Sequence, residues 1–141
     1  MENVSLEFPI RGGDFINAGE ASSGMKKALT RLGIDPASVK RAAIAMYEAE
    51  INAVIHAGGG IASVKIYPDH IVIVIKDNGP GIPDVELAMK EGWSTAPDSA
   101  REMGFGAGMG LPNIKRHSDF MSLDTEIGKG TAITIIINFN K

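Results

Sequence analysis

Four clusters of glycine divide the chain from residue 58 onwards into short segments and constrain its fold. The clusters lie at 58–60, 79–81, 104–110 and 128–130, among 17 glycines in 141 residues. Glycine permits tight turns and lets a backbone approach a neighbour or a ligand closely. Because no repeat or linker composition separates the segments, we predict a single domain over residues 1–141.

Hydrophobic periodicity predicts an α+β fold. Pro9 indicates that the first strand lies at the edge of a sheet. We predict a two-layer α/β sandwich, in which a mixed, mostly antiparallel sheet carries helices on one face. Alternating apolar residues indicate strands at 4–10, 61–67, 70–76, 119–126 and 131–139. Helical spacing and stop signals indicate helices at 20–32, 36–57, 83–91 and 111–117.

The composition excludes several classes of protein. The chain has no cysteine, which excludes disulfide frameworks and thiolate zinc sites. It has no signal segment and no apolar run near the ~18 residues that span a membrane, so we expect a cytoplasmic protein with no membrane contact. The formal net charge is −3 and no basic stripe stands out, so we expect no nucleic-acid partner.

The long predicted helix carries a line of polar residues. Glu48, Asn52 and His56 are four residues apart and share one face. Asn52 could offer an oxygen to Mg²⁺, Glu48 could orient or deprotonate an attacking hydroxyl, and His56 could contact a phosphate oxygen. The alternative is a solvated helix face with His56 near the helix end. We do not expect Glu50 to belong to the same site, because it lies about 160° from Asn52 around the helix.

Three glycine segments follow, and each has a structural alternative. Asp77 ends a predicted strand and could accept a hydrogen bond from an adenine amine, although 77–82 is also an ordinary turn sequence. Residues 104–111 could present backbone N–H groups to an anion, or form a flexible linker. They fit neither a dinucleotide fingerprint nor a Walker A loop. Residues 128–131 fit a hairpin turn, from which Thr131 could reach a phosphate.

The order of these four segments resembles the Bergerat ATP-binding family, which includes the ATPase domains of gyrase, Hsp90, histidine kinases and MutL. The order is Glu-x-x-x-Asn on a helix, Asp-x-Gly-x-Gly after a strand, Gly-x-Gly-Leu and Gly-x-Gly-Thr. Within that family the chain looks most like the anti-sigma-factor serine kinases, and among them the switch kinases of stress signalling. Its small size, residues 48–57, and residues 91–95 with 106–116 carry this finer match.

The resemblance implies ATP and Mg²⁺ as cofactors and assigns roles to individual residues. Glu48 would be the catalytic base and Asn52 the Mg²⁺ ligand. Asp77 would hold the adenine amine, and Thr131 would support the adenine end. Gly79 and Gly81 would shape the adenine pocket, and the glycines of 106–110 would belong to the ATP lid and phosphate cradle. The expected nucleotide-binding residues are Asn52, His56, Asp77, Gly79, Gly81, Ile82, Gly106, Ala107, Gly108, Met109, Gly110, Leu111 and Thr131.

Three functions compete at this point. The first is an ATP-dependent serine/threonine protein kinase that phosphorylates a small antagonist-type regulatory protein in a sigma-factor or stress-signalling switch. The second is a binding module that sequesters a sigma factor or another regulator without catalysis. The third is the catalytic domain of a histidine kinase. We do not favour it, because the sequence offers no candidate phosphoacceptor helix before the first predicted strand. Related domains often dimerise, so a homodimer is also an expectation.

Overall fold

A computed structural model describes residues 3–13, 18–56, 59–79 and 110–140 of the chain, without the side chains of residues 55 and 56. The predicted short helix at 83–91 and nearly all of the predicted loop at 92–110 lie outside these residues. The elements in chain order are β1 (Val4–Arg11), α1 (Glu20–Arg31), α2 (Pro36–His56), β2 (Gly59–Ile66), β3 (His70–Asp77), α3 (Gly110–His117), β4 (Phe120–Glu126) and β5 (Gly130–Asn138).

The five strands form one sheet in the order β1-β2-β3-β5-β4. β1 is an edge strand, as Pro9 indicates. The predicted α+β class is confirmed, but the sheet is antiparallel at every described pairing rather than mixed. β3 and β4 run in the same direction, but they do not pair with each other. β5 lies between them and is antiparallel to both.

The three described helices cover one face of the sheet. Alternate residues of each central strand point towards α1 and α2, and the intervening residues face away, as the two-residue period of a strand requires. Met25 and Leu29 of α1 and Met46 of α2 are fully buried against this layer. The strand residues of the core are Ala62, Val64, Ile66, Ile71, Ile73, Ile75, Ile133, Ile135 and Ile137.

Two glycines predicted to form a turn after α2 belong instead to β2. A Cβ on Gly59 would collide with the carbonyl oxygen of Ile10, and one on Gly60 would collide with that of Lys76. Gly59 also has φ of 96°, which side chains rarely adopt. Because both residues are glycine, the first part of β2 can pack closely against its neighbours β1 and β3. The strand therefore starts at residue 59, two residues before the predicted start at 61.

A carboxylate from α2 caps the first helix. Gly19 at the N-terminus of α1 has no side chain with which to cap the helix. Glu50, which is 3% exposed, accepts hydrogen bonds from the backbone amides of Gly19, Ala21 and Ser22 at 2.9, 3.2 and 3.0 Å. These bonds satisfy donors that a helix leaves unpaired at its start, and they join α1 to α2.

The start of α2 is held by the other end of the chain. Asp35 caps the helix through a hydrogen bond from the amide of Ser38 to Oδ2, at 3.0 Å, which confirms the predicted Asp-Pro helix start. The hydroxyl of Ser38 accepts from the amide of Asn140 at 3.0 Å.

In the described part of the chain, none of the helices has the length and apolar character needed to cross a membrane.

Candidate functional site

Asp77 joins two turns at one end of the sheet. Its Oδ1 atom accepts hydrogen bonds from the amide of Gly79, at 2.9 Å, and from the amide of Thr131 on β5, at 3.1 Å. Both of these bonds use the same oxygen, Oδ1, and neither involves Oδ2. The structure therefore brings together Asp77, Gly79 and Thr131, three of the residues that the sequence assigns to the adenine end.

Close backbone packing at Gly130 shapes the same end of the sheet. Gly130 has φ of 126°, and a Cβ there would collide with the carbonyl oxygen of Asp77. Thr131 is 8% exposed, and its hydroxyl lies 2.9 Å from the hydroxyl of Thr125 on β4. The Gly-x-Gly-Thr segment is a hairpin turn, as one interpretation of the sequence had it, and this turn also places a threonine beside Asp77.

Glu48 is half-buried on α2, next to α3. Burial raises the pKa of its carboxyl above the ordinary value of 4.5, whereas a hydrogen bond from Asn113 and the charge of His117 act in the opposite direction. Asn52 lies one helical turn further along and is also half-buried. Both side chains are half-buried, so this part of the helix face is not fully solvated, unlike the alternative that the sequence left open.

Sequence reasoning missed the residues of α3 that surround Glu48. Asn113 hydrogen-bonds to Glu48. Arg116 donates from Nη1 to Oδ1 of Asn113 at 3.2 Å, and Nδ1 of His117 lies 2.9 Å from the carbonyl oxygen of Asn113. The spacing of Asn113 and His117 by four residues was a readable signal. Only the packing of α3 against α2 shows that this line faces Glu48.

Several predicted site residues lie wholly or partly outside the described structure. Gly110 is the first residue of α3, and Leu111 is 6% exposed and belongs to the core cluster. His56 is the last residue of α2, but its side chain is not described. The assignment of these three residues to the nucleotide stays a prediction. Outside the described residues altogether lie Gly81, Ile82, Gly106, Ala107, Gly108 and Met109.

Asn52 is the residue that the sequence assigns to Mg²⁺, and it carries an amide oxygen on α2. Among the described residues, no group of three or more His, Cys, Asp or Glu side chains could hold a metal ion. Mg²⁺ is commonly bound through one or two protein oxygens together with substrate phosphates and water. A single amide oxygen from Asn52 beside a nucleotide is consistent with that pattern.

Solved structures share this fold. A mycobacterial sensor histidine kinase, MprB, aligns with a TM-score of 0.54 and 21% identity, over 97% of this chain and 99% of its own. A chain of the SiaB-SiaC complex from Pseudomonas aeruginosa aligns with a TM-score of 0.54 and 14% identity, over 94% of this chain and 89% of its own. At these identities the likeness shows the architecture alone.

Similarity in sequence identifies the family more closely. The chain is 34% identical over 109 residues to the serine/threonine-protein kinase RsbT of Bacillus subtilis, covering 74% of this chain and 76% of that protein. It is 32% identical over 102 residues to an anti-sigma F factor of Clostridium beijerinckii, covering 68% of each. Residues 37–141 match the family described as histidine kinase-, DNA gyrase B- and HSP90-like ATPases.

These matches confirm the family that the four segments resemble, and the predicted kinase class with its use of ATP. They cover α2, the Asp77 turn, α3 and the final hairpin, which are the elements that carry the predicted site. The chain belongs to the histidine kinase-, DNA gyrase B- and HSP90-like ATPase family, in the branch of serine/threonine-protein kinases and anti-sigma factors.

Proposed function

We propose that this protein transfers the γ-phosphate of ATP to a serine or threonine of a small antagonist-type regulatory protein, in a cytoplasmic switch that controls a sigma factor. The observation that carries the proposal is Glu48, a half-buried carboxylate with a raised pKa, one helical turn from Asn52. A relative named as a serine/threonine-protein kinase and relatives named as anti-sigma factors support the choice of acceptor and pathway.

Adenine recognition rests on Asp77. With Oδ1 occupied by the amides of Gly79 and Thr131, the carboxylate is fixed in orientation, and Oδ2 is the acceptor for the exocyclic amine. A hydrogen bond to a charged acceptor contributes about 1.5–3 kcal/mol, enough to favour a base that has an amine at this position. Gly81 and Ile82 complete the adenine pocket in this proposal.

Transfer then requires a base, an acceptor hydroxyl and neutralised phosphates. The hydroxyl oxygen attacks the γ-phosphorus, the bond from that phosphorus to the β–γ bridging oxygen breaks, and Glu48 receives the hydroxyl proton. The raised pKa makes Glu48 a stronger base than an exposed carboxylate. The backbone amides of residues 106–111 neutralise phosphate charge, and His56 contacts a phosphate oxygen. Positioning and charge neutralisation supply most of the rate in phosphoryl transfer.

Asn52 would hold Mg²⁺ through its amide oxygen. The ion, when bound, would neutralise phosphate charge and orient the phosphate chain. Because Asn52 and Glu48 share one face of α2, separated by one turn, the helix sets the spacing between the metal ligand and the base.

A binding module is the second candidate. The relatives named as anti-sigma F factors favour it, because such a protein could sequester a sigma factor and use ATP only to set its shape. A homodimer would be compatible with either function. The two candidates differ in whether phosphate leaves ATP for a protein acceptor.

The test is a transfer assay with ATP radiolabelled on its γ-phosphate and, as the acceptor, an antagonist-type protein from the same organism. We expect label on a serine or threonine of the acceptor, and a loss of about 10²–10⁴-fold in the transfer rate for Glu48→Gln. Glu7→Gln is the matched control, because Glu7 is exposed on β1. Tight binding of ATP and partner without any transfer by the wild type would replace the kinase with the binding module.

A further inference from the structure

One face of α3 holds a network of polar side chains around Glu48. α3 packs against α2, with Leu111 and Ile114 buried and Asn113 half-buried. The side-chain hydrogen bond of Asn113 acts on the Glu48 carboxyl and lowers the pKa of that group. Neither the four segments that identify the family nor the transfer step described above uses this residue.

Arg116 fixes which end of Asn113 meets the carboxylate. A guanidinium can only donate hydrogen bonds, so Arg116 Nη1 donates to the amide oxygen of Asn113, at 3.2 Å. The NH₂ group of Asn113 is then the end that faces Glu48. A carboxylate accepts from this group, so the two contacts are mutually consistent.

His117 is held in the same network. Its Nδ1 lies 2.9 Å from the carbonyl oxygen of Asn113, which can only accept, so Nδ1 carries the proton. Charge on His117 acts on Glu48 in the same direction as the hydrogen bond from Asn113, because both favour the carboxylate form.

We propose that Asn113 is a positioning residue for Glu48, with its amide oriented by Arg116, so that one carboxylate oxygen is held and the other is directed to the acceptor hydroxyl. The proposal rests on the proposed function. A glutamate has three rotatable bonds and many orientations, and a base must lie within hydrogen-bond reach of the proton it takes. The ordinary alternative is that Asn113 only helps α3 to pack against α2.

Kinetics separate these two readings. In the transfer assay, Asn113→Ala should lower kcat about tenfold or more at saturating ATP and acceptor, with the KM for ATP nearly unchanged, because the adenine contacts are elsewhere. Lys115→Ala is the matched control on the exposed side of α3. Asn113→Asp keeps the shape of the side chain but cannot donate to Glu48, so it should show the same loss if Asn113→Ala does not fold.

A double-mutant cycle supplies the decisive comparison. Once Glu48 is replaced by Gln, there is no base to position, so adding Asn113→Ala should cost little further rate. A purely structural role would instead lower the rate by the same factor in both backgrounds. That additive result, or wild-type kcat in both Asn113 variants, would overturn the proposal while leaving the kinase function intact.

A second measurement does not require an acceptor. NMR titration of the carboxyl of Glu48 should give a higher pKa in Asn113→Ala than in the wild type, because a hydrogen bond to the charged form is lost. The titratable groups beside Glu48 in the described structure are His117 on α3 and Tyr47 on α2, and both remain in this variant. An unchanged pKa would contradict the inference, whereas absence of transfer by the wild type would contradict the proposed function.

Discussion

The backbone amide of Thr131 on β5 donates a hydrogen bond to Oδ1 of Asp77 at the end of β3, at 3.1 Å. The amide of Gly79 donates to the same oxygen at 2.9 Å. One carboxylate oxygen thus secures two turns, and the proposed function assigns the other to the adenine amine. This division of roles allows the structural and the ligand-binding contributions of Asp77 to be measured separately.

Asp77→Asn tests that division. The asparagine oxygen can still accept from both backbone amides, so we expect the free energy of unfolding to fall by less than about 1.5 kcal/mol. Its NH₂ group would oppose the adenine amine, and the affinity for ATP in the presence of Mg²⁺ should fall about 10–100-fold by isothermal titration. Asp124→Asn, at an exposed position on β4, is the control. Unchanged affinity in Asp77→Asn would remove the adenine assignment.

The pH dependence of transfer should report Glu48. A base must be deprotonated, so the rate should fall on acidification through the pKa of Glu48, in a range above 4.5, because burial raises that pKa. The effect on stability has the opposite sign. A raised pKa in the folded state stabilises the protein fully below pH 4.5, and this contribution is lost as the pH rises through the folded-state value.

Comparison of the wild type with Glu48→Gln isolates the contribution of Glu48 to the pH dependence of stability. The pKa values of Asp35 and Asp119 are lowered by hydrogen bonds to Ser38 and Asn138, so their contributions to stability are lost as the pH falls below 3.8 in either protein. The difference between the two unfolding curves therefore belongs to Glu48. If the wild type became more stable relative to Glu48→Gln as the pH rose, the direction assigned to the pKa shift of Glu48 would be wrong.

Glu50→Ala should destabilise the protein without touching the proposed chemistry. Three backbone amides at the start of α1 would lose their acceptor, and we expect the free energy of unfolding to fall by about 2–4 kcal/mol in urea titrations. Glu7→Ala, an exposed change on β1, should alter it by less than about 0.5 kcal/mol. Equal stability of the two variants would show that the cap contributes little.

Two glycines in the β4–β5 hairpin should respond differently to alanine. At Gly130 a Cβ would collide with the carbonyl oxygen of Asp77 and φ is 126°, so Gly130→Ala should cost about 2–4 kcal/mol of stability. Gly128 also has positive φ, at 80°, but no atom lies within 4 Å of the added Cβ. Gly128→Ala should therefore cost only about 1–2 kcal/mol. Similar thermal shifts for both would argue against the close contact at Asp77.

The elements were predictable because most of them follow a regular apolar period. The Asp-Pro start of α2 and the alternating isoleucines of β3 and β5 are local signals, and the structure has those elements at the predicted positions. The start of β2 was not predictable, because Gly59 and Gly60 were interpreted as a turn and their collisions involve Ile10 and Lys76, residues distant in sequence. The order of the strands likewise depends on contacts that no local pattern contains.

The site was predictable where its residues form motifs. Asp77 and Thr131 were placed at one end of a ligand site from segments 54 residues apart, and the structure joins them by a hydrogen bond. Asn113 was missed because its spacing from His117 does not show which residue of another helix lies opposite it. The role of Glu50 was missed for the same reason, since the donors it satisfies belong to another helix.

The spacing of Glu48 and Glu50 has a consequence for mutational scanning of this protein. In a growth-based selection, substitutions at both positions would be depleted, and the two columns of the map would look alike. The causes differ: one column would record lost turnover in protein that accumulates normally, and the other would record protein removed by proteolysis after α1 loses its cap. Pairing the selection with a measurement of cellular abundance would separate the two glutamates, with only Glu50 variants scarce.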